Sequence, residues 1–388
     1  MPRVLRPQRA VPSDAVRPTR AEVNLANLRH NLRVLQRVAG GAEVWSVLKA
    51  DGYGHGSKAV ARTLERAGVS GVCVALLEEA IELRDAGIRC PILVMGGYYE
   101  RAWGEVLRHR LTPVIFDAGQ IEAFAEEVRY SGSEPLPVHL KVDTGMARLG
   151  ALPREVPALA AALRRHPELV LDGVMTHFAG ADSGEPSSVE HQLELFHGAL
   201  AVLASAGLEP RLRHAANSAA LLSSERARLD MARPGVALFG VDPRPEGTRE
   251  LRPVMRVQSQ IIALRELAPG ESVGYGSTWT ARRPSRIATV PMGYADGLDR
   301  ALSNRGAMLV RGRRAPIAGV VSMDMTMLDV TDVEGARAGD EAVVLGAQKG
   351  PLGEDEISAH ELARTLGTIP WEVLTSVSRR VPRFYREP

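Results

Sequence analysis

Short apolar runs alternate with longer helical stretches from residue 22 to about residue 252, and this alternation constrains the fold more than any other feature. The strand-like runs lie at 44–48, 71–76, 91–95, 112–116, 138–142, 171–176, 211–215 and 236–239. Because a crossover of helical length joins successive runs, we expect parallel pairing through right-handed βαβ units. Eight such units predict an α/β fold of the (β/α)8 TIM-barrel type, although the pattern alone also permits an open doubly wound sheet.

The pattern changes past residue 250, where short strand-like runs are separated by turns rich in Gly, Pro and Asp. This predicts a second domain that is mainly β. The predicted organisation is therefore a flexible N-terminal extension at 1–16, a barrel domain at 17–250 and a C-terminal β domain at 251–388. The extension is rich in Arg and Pro and lacks the apolar core of a secretory signal, so we expect it to be loosely ordered.

Charge and cysteine content limit the function. The formal net charge is only +2, from 48 basic and 46 acidic residues, which does not favour a nucleic-acid partner. No apolar run reaches the length of a membrane span, so no membrane partner is expected. The two cysteines, Cys73 and Cys90, have no zinc-site spacing and lie in or beside apolar runs. We therefore expect a cytoplasmic protein with buried thiols and no metal site.

A lysine ends the first predicted strand. Lys49 follows the apolar run at 44–48, and three glycines come shortly after it, with Tyr53 among them. Burial would lower the pKa of such a lysine, and a neutral amine is a nucleophile that forms a Schiff base with an aldehyde. Taken alone, however, a strand ending in Lys before a glycine turn is more often a surface lysine.

Further polar residues lie at the ends of the later strands. Arg148 follows strand five, His177 ends strand six, Asn217 and Ser218 follow strand seven, and Arg233 and Gly235 begin strand eight. Barrel enzymes carry their active sites at the carboxyl ends of the strands, so this distribution predicts an active site there.

Each of these residues also has a structural interpretation. Lys141, Asp143 and Arg148 could form a buried ion network at the end of strand five. His177 could be a core histidine bonded to backbone, and Ser218 could be the N-cap of the next helix. The sequence leaves these alternatives open.

The segment 47–56 reads VLKADGYGHG and resembles the pyridoxal-phosphate lysine segment of alanine racemases. Other segments between about residues 17 and 385 resemble motifs of the same family. They are KVDTGMARLG at 141–150, MTHF at 175–178, HAANS at 214–218, RPG at 233–235, VGYGSTW at 273–279, PMGYADG at 291–297, SMD at 322–324 and RVPR at 380–383.

The resemblance implies an isomerase that uses pyridoxal 5'-phosphate to interconvert L-alanine and D-alanine by a two-base mechanism, supplying D-alanine for bacterial peptidoglycan. It implies that Lys49 and Tyr275 are the two bases, and that Tyr275 reaches the site of the partner in a homodimer. The implied cofactor-binding residues are Lys49, Tyr53, Arg148, His177, Asn217, Ser218, Arg233, Gly235 and Val236. The implied substrate-binding residues are Arg148, Tyr294 and Met323.

Three positions of the resemblance carry further expectations. Arg233 is expected to face the pyridine nitrogen. An arginine is always protonated and can only donate to this nitrogen, so the nitrogen stays unprotonated. Lys141 is expected to carry a carbamate, as N6-carboxylysine, that steadies Arg148. Arg379 stands where some relatives supply a tyrosine to the phosphate. The alternatives are a broad-specificity racemase for serine, lysine or arginine, or a non-catalytic carrier of the cofactor, although such carriers generally end after the barrel.

Overall fold

The computed structural model of the chain describes residues 16–96, 102–182, 186–244, 247 and 250–387. The chain divides into two compact units, one at Leu25–Arg252 and one that combines the residues up to Asn24 with those from Pro253 onward. Most of the predicted N-terminal extension, at 1–16, lies outside the described residues.

The first unit is a nearly closed barrel of eight parallel strands, which confirms the predicted fold class. In chain order, barrel strands 1 to 8 are Glu43–Val47, Gly71–Val74, Ile92–Val94, Thr112–Ile115, Leu136–Lys141, Leu169–Met175, Leu212–His214 and Met231–Ala232. Each of strands 1 to 6 pairs in parallel with the next, and strand 8 pairs with strand 1, so the gap in the barrel lies between strands 7 and 8. Two backbone hydrogen bonds from the residues that flank strand 8 bridge this gap, from Asp230 N to Arg213 O at 3.0 Å and from Arg233 N to Ala216 O at 2.9 Å.

The prediction of strand 8 at 236–239 was wrong. Strand 8 is Met231–Ala232, and Val236–Phe239 is a buried 3-10 helix that follows it. A short apolar run has no periodicity that separates a strand from a buried helical turn. Pro234, which lacks a backbone N–H, and Gly235 turn the chain between the two elements. Arg233 and Gly235 therefore follow strand 8, where the sequence placed them at its start.

Helices cover the barrel strands. Their bounds are Leu25–Ala39, Ser57–Arg66, Leu77–Asp85, Trp103–Arg108, Ala118–Ser131, Val156–Arg165, Pro186–Ser205 and Ser218–Ser223, with 3-10 turns at Pro153–Glu155 and Glu225–Ala227. Across the described parts of the chain, no helix combines the length and the apolarity that crossing a bilayer requires. Inside the barrel, a cluster of buried apolar side chains takes members from most of the strands, including Trp45, Cys73, Leu93, Val114 and Met175.

The second unit is rich in strands. Its strands are Arg20–Asn24, Met255–Gln260, Ala263–Leu267, Ser272–Val273, Trp279–Thr280, Ser285–Val290, Ala307–Val310, Arg313–Pro316, Thr326–Asp329, Glu341–Gly350, Gly353–Ile357 and Arg383–Arg386. Two helices, Ala359–Leu366 and Pro370–Ser376, and 3-10 turns at Tyr275–Ser277, Tyr294–Asp296 and Arg300–Leu302 complete it. Ser358 caps the first helix, where its hydroxyl accepts from Glu361 N.

The strand Arg20–Asn24 belongs to this second unit, whereas the sequence assigned it to the barrel domain. It pairs antiparallel with Met255–Gln260 and parallel with Arg383–Arg386, so it occupies an interior position in a mainly antiparallel sheet. The sequence could not show this, because the pairing joins segments more than 200 residues apart.

Candidate active site

The backbone after barrel strand 1 is a left-handed helical turn that begins beyond Lys49. Ala50, Asp51, Gly52 and Tyr53 all have φ between 51° and 63°. Hydrogen bonds from Gly52 N to Leu48 O and from Gly54 N to Ala50 O, both 2.9 Å, close the turn. This conformation costs about 1–2 kcal/mol for each residue that has a Cβ. The sequence predicted a break at the glycines, but the turn also includes residues other than glycine.

Glu79 clamps this turn. One carboxylate oxygen accepts from Ala50 N at 2.6 Å, and the other accepts from Ala75 N at 2.9 Å and Leu76 N at 3.1 Å. The helix Ser57–Arg66 then begins beside Asp51, whose carboxylate accepts from Ser57 N at 2.8 Å. The sequence did not single out Glu79, which is the third residue of the helix Leu77–Asp85, although a glutamate at that position is a recognisable capping signal.

Lys49 lies beyond the carboxyl end of barrel strand 1 and is less basic than an ordinary lysine. Although part of its side chain is exposed, desolvation by the surrounding protein and then the charge of Arg148 lower the pKa of Lys49, while Glu79 acts in the opposite direction. A larger fraction of its amine is therefore neutral and nucleophilic than in an ordinary lysine.

Several cations share this mouth of the barrel. Burial, followed by the charges of Arg148 and Arg233, lowers the pKa of Lys141 to about 8. Lys49 acts on Lys141 in the same sense. Among the described residues, no carboxylate forms an ion pair within 4 Å of Lys49, Lys141, Arg148 or Arg233. The mouth is therefore positively charged and suited to an anion.

Asp143 binds the backbone of its own loop and does not form the buried ion network that the sequence left open. Its Oδ1 accepts from Gly145 N and Met146 N at 2.9 Å and from Ala147 N at 3.1 Å. These backbone bonds hold the loop after barrel strand 5, and they lower the pKa of Asp143 against the effect of burial. Asp143 shapes the loop that carries Arg148. Its charge also raises the pKa of Lys141, but burial and the two arginines lower that pKa by more.

His177 follows barrel strand 6 and is neutral over the physiological range. Burial lowers its pKa to about 3, and the charges of Arg233, Arg148, Lys141 and Lys49 act in the same direction. Those cations are the same ones that the sequence placed at separate strand ends. The barrel thus brings them within electrostatic range of one imidazole ring.

A second group of predicted residues meets beside strands 7 and 8. Ser218 is buried, and its hydroxyl oxygen accepts from Gly235 N at 2.9 Å and from Ala237 N at 3.3 Å. A methyl group on Gly235 would lie 2.3 Å from the Tyr53 hydroxyl, so only glycine admits Tyr53 here. The N-cap alternative for Ser218 was wrong, because Asn217 caps the helix by accepting from Ala220 N at 2.9 Å.

Arg233 is buried, and three acceptors hold its guanidinium. One amino group donates to His214 Nδ1 at 2.5 Å. The other donates to Thr176 O at 2.8 Å and to Ala215 O at 3.2 Å. Burial lowers the pKa of Arg233 to about 10, so the group keeps its proton at neutral pH and can only donate.

The remaining predicted residues lie in the second unit. Tyr275 is 74% exposed, between Gly274 and Gly276, which both have φ of 70°. Tyr294 and Met323 are brought together by hydrogen bonds from Tyr294 N to Ser322 O at 3.0 Å and from Ala295 N to Met323 O at 3.1 Å.

The RVPR segment in the same unit has a structural role that its geometry shows. Arg383 donates to the carbonyl oxygens of Val377, Ser378 and Val381, each at 2.6 Å, and so closes the turn before the last strand. Arg380 pairs with Asp324 at 2.7 Å, one residue after Met323. Arg379 is exposed.

Comparison with protein families and known structures identifies similar proteins. Family models described as "Alanine racemase, N-terminal domain" and "Alanine racemase, C-terminal domain" match residues 23–243 and 254–385. A protein of Sorangium cellulosum named "Alanine racemase" is 62% identical over 96% of this chain and 100% of its own length. The alanine racemase of Symbiobacterium thermophilum is 43% identical over 96% of this chain and 98% of its own length.

Solved structures of alanine racemases also share the fold. The enzyme from a D-cycloserine-producing Streptomyces lavendulae has a TM-score of 0.90 and 33% identity, covering 97% of this chain and 98% of that one. The biosynthetic enzyme of Pseudomonas aeruginosa has a TM-score of 0.84 and 41% identity, covering 96% and 100%. Matches of this extent in both domains show that the chain belongs to the alanine racemase family.

Proposed function

We propose that this chain interconverts L-alanine and D-alanine with pyridoxal 5'-phosphate as its cofactor. The observation that carries the proposal is Lys49, which follows barrel strand 1 and has a lowered pKa among cations that have no carboxylate partner in the described residues. Support also comes from relatives named alanine racemase that match nearly the whole chain.

The residues present fit an anionic cofactor. Buried cations without anionic partners are costly, and a phosphate and a phenolate oxygen would supply the missing negative charge. The close approach of the Tyr53 hydroxyl to Gly235, beside the Ser218 hydroxyl, gathers polar groups suited to phosphate oxygens. When bound, pyridoxal phosphate supplies an electron sink that acidifies the α-hydrogen of an amino acid.

Each residue then has a role toward that group. Lys49 would hold its aldehyde carbon, and Arg148 would donate to its phenolic oxygen. Arg233 would donate to the ring nitrogen and keep its own proton, while neutral His177 would stack on the ring. The phosphate contacts would come from Tyr53, Ser218 and the backbone N–H groups of Gly235 and Val236, with Asn217 holding the helix that carries Ser218.

Two bases on opposite faces of the substrate would move the α-proton. Lys49 would act on the D side. Tyr275 of the partner subunit in a homodimer would act on the L side. The Tyr275 side chain is exposed within its own unit, so it is available to reach a partner's site. Arg148 would hold the substrate carboxylate. Tyr294 and the Met323 backbone would serve the partner subunit's site together with Tyr275, the Met323 backbone toward the carboxylate and Tyr294 around a small side chain.

Lys141 has the chemistry for a carbamate. With a pKa of about 8, a larger share of its amine is neutral at pH 7 than in an ordinary lysine. The neutral amine adds carbon dioxide, forming one N–C bond and releasing one proton. The resulting anion would sit among cations that have no carboxylate partner in the described residues, and it would steady Arg148.

The test of the proposed function combines turnover with cofactor attachment. Purified protein supplied with pyridoxal phosphate should convert L-alanine to D-alanine, and borohydride should fix the cofactor on the peptide containing Lys49. Parallel assays with serine, lysine and arginine measure the width of the substrate range. Attachment at Lys49 without turnover of any amino acid would point instead to a carrier, and attachment elsewhere would overturn the assignment of Lys49.

The face assignment predicts an unequal effect of one substitution. Tyr275→Phe removes only the hydroxyl, so exchange of the L α-proton should fall far more than exchange of the D α-proton. Washout of deuterium from each enantiomer of 2-deuterated alanine measures the two rates separately. Tyr130→Phe, at a 90% exposed tyrosine of the barrel unit, is the control and should change neither. Equal losses for both enantiomers would remove Tyr275 from its assigned face.

A further inference from the structure

A line of polar side chains in contact runs through the barrel from Arg233 to the amino ends of the strands. Arg233 contacts His214 Nδ1 at 2.5 Å, and His214 Nε2 lies 2.8 Å from His139 Nδ1. His139 Nε2 lies 3.5 Å from Asp172 Oδ2, and Arg211 holds the same carboxylate with two bonds of 3.0 and 3.1 Å. Both histidines are fully buried.

The chemistry of the two ends fixes every proton in the line. Arg233 can only donate, so His214 Nδ1 accepts and its proton lies on Nε2. His214 Nε2 then donates to His139 Nδ1, and the His139 proton lies on Nε2, facing Asp172. Burial lowers the pKa of both histidines, with the charge of Arg233 acting in the same direction, so both rings are neutral.

Asp172 favours the same direction from the other end of the line. His139 Nε2 makes no regular hydrogen bond to any described residue, and the Asp172 carboxylate, 3.5 Å away, is the anion that faces it. A buried N–H without an acceptor is costly, so this carboxylate is the group that can satisfy it. The contact with His139 is also the main cause that lowers the pKa of Asp172, so the carboxylate is charged at neutral pH. Its negative charge polarises both imidazoles toward Arg233.

Barrel strand 6 has a glycine, Gly173, where the His139 ring of this line packs against it. His139 lies opposite Gly173 in the register between barrel strands 5 and 6, just after a register shift at Val138/His139. A methyl group on Gly173 would lie 2.6 Å from the His139 ring. The ring therefore occupies space that a side chain on Gly173 would fill.

We propose that Asp172 and His139 are positioning residues, which act through His214 to hold the Arg233 guanidinium in its place and orientation. This inference rests on the proposed function, since it assigns to Arg233 the contact with the ring nitrogen of the cofactor. Asp172 and His139 touch neither substrate nor cofactor. They orient the group that does.

A matched pair of substitutions separates this role from a purely structural one. Asp172→Asn keeps the size of the side chain and removes the charge. Asp230→Asn is the control, because Asp230 also holds an arginine with two bonds, to Arg213, but has no contact with the histidines. We expect kcat for alanine to fall about tenfold in Asp172→Asn, the size usual when a partner that orients a functional side chain is lost. KM of the Asp172→Asn enzyme should change little. In the Asp230→Asn enzyme, both kcat and KM should stay close to those of the parent protein.

Asp172→Glu gives a rescue test. It restores the charge on a longer side chain, so the proposal predicts more activity in the Glu variant than in the Asn variant. A structural role predicts the reverse, because asparagine has the shape of aspartate. The comparison needs only that both variants fold, and Asp230→Asn measures the cost of losing an ion pair at this end of the barrel.

A second readout does not depend on turnover. In protein labelled with ¹⁵N-histidine and without added cofactor, His139 and His214 should both be neutral with the proton on Nε2 at pH 7. In Asp172→Asn, a population of His139 with the proton on Nδ1 should appear. A proton on His214 Nδ1 in the unsubstituted protein would overturn the line, and so would equal kcat in Asp172→Asn and Asp230→Asn. Absence of alanine turnover in the unsubstituted protein would refute the proposed function, and the NMR measurement would still decide the line.

Discussion

At the scale of single residues, the barrel mouth is notable for cations whose charge is not neutralised by neighbouring carboxylates. Asp143 is the carboxylate nearest to Lys141 in sequence, but its Oδ1 accepts hydrogen bonds from three backbone N–H groups. Lys141 therefore keeps the cost of a buried charge, which its pKa of about 8 expresses. The sequence placed Lys141 and Asp143 two residues apart, but it could not show which groups each would contact.

Lys141→Met should stabilise the protein at pH 7 in buffer free of carbon dioxide. The pKa of Lys141 lies below the ordinary value of 10.5, so the unfolded chain binds this proton more tightly than the folded one. Stability of the parent protein should then rise between pH 8 and 10.5, and the advantage of the variant should shrink over that window. Urea midpoints at pH 7 and pH 10 measure this.

The control for this prediction is Lys58→Met. Lys58 forms a surface pair with Glu82 at 3.0 Å, and its loss should change stability by about 0–1 kcal/mol. A Lys141→Met protein less stable than its parent at pH 7 would show that Lys141 carries a favourable contact in place of a burial cost.

At the scale of elements, the turn from Ala50 to Tyr53 depends on a partner from another helix. Glu79 bonds the backbone on both sides of the space between barrel strands 1 and 2. The sequence predicted the strand before this turn and the break at the glycines, because apolar runs and glycines are local signals. The left-handed path of Ala50 and Asp51 and the identity of strand 8 depend on tertiary contacts, which local patterns do not contain.

Glu79→Gln should destabilise the protein by about 1–2 kcal/mol, because the amide offers one acceptor oxygen where three N–H groups need two. Loss of the Glu79 charge should also lower the pKa of Lys49 further, since that charge raises it. The urea midpoint and the pH dependence of labelling of Lys49 by an amine-reactive reagent measure the two effects. Glu78→Gln, at an exposed neighbour in the same helical turn, should leave both unchanged.

At the scale of the whole molecule, the order of the chain is not the order of the fold. The strand Arg20–Asn24 is separated by the entire barrel unit from the two strands with which it pairs. Glu22 on this strand is buried and pairs with Arg20 at 3.1 Å and with Arg386 at 2.6 Å, and Gln258 donates to it at 3.2 Å. A boundary near residue 250 was visible in composition, but the contribution of residues 20–24 to the second unit was not.

Glu22→Gln should lower the free energy of unfolding by about 1–3 kcal/mol, because it removes the charge that holds arginines from separate strands. Chemical denaturation followed by circular dichroism measures the loss. Glu266→Gln is the matched control, since Glu266 pairs with Arg286 at 3.3 Å but its side chain is 81% exposed. Equal effects of the two substitutions would show that Glu22 contributes no more than a surface ion pair.

The interior position of Arg20–Asn24 also matters during synthesis on the ribosome. This strand is translated before both of its partners, and its parallel partner Arg383–Arg386 follows only after the whole of Leu25–Arg252 and most of the second unit. At about 5–20 residues per second the strand waits for tens of seconds with its backbone unpaired. Alternating charges at Arg20 and Glu22 are the kind of feature that keeps a nascent strand from pairing with the wrong chain. Arg20 and Glu22, which form ion pairs in the folded sheet, therefore also protect the strand from mispairing before its partners are translated.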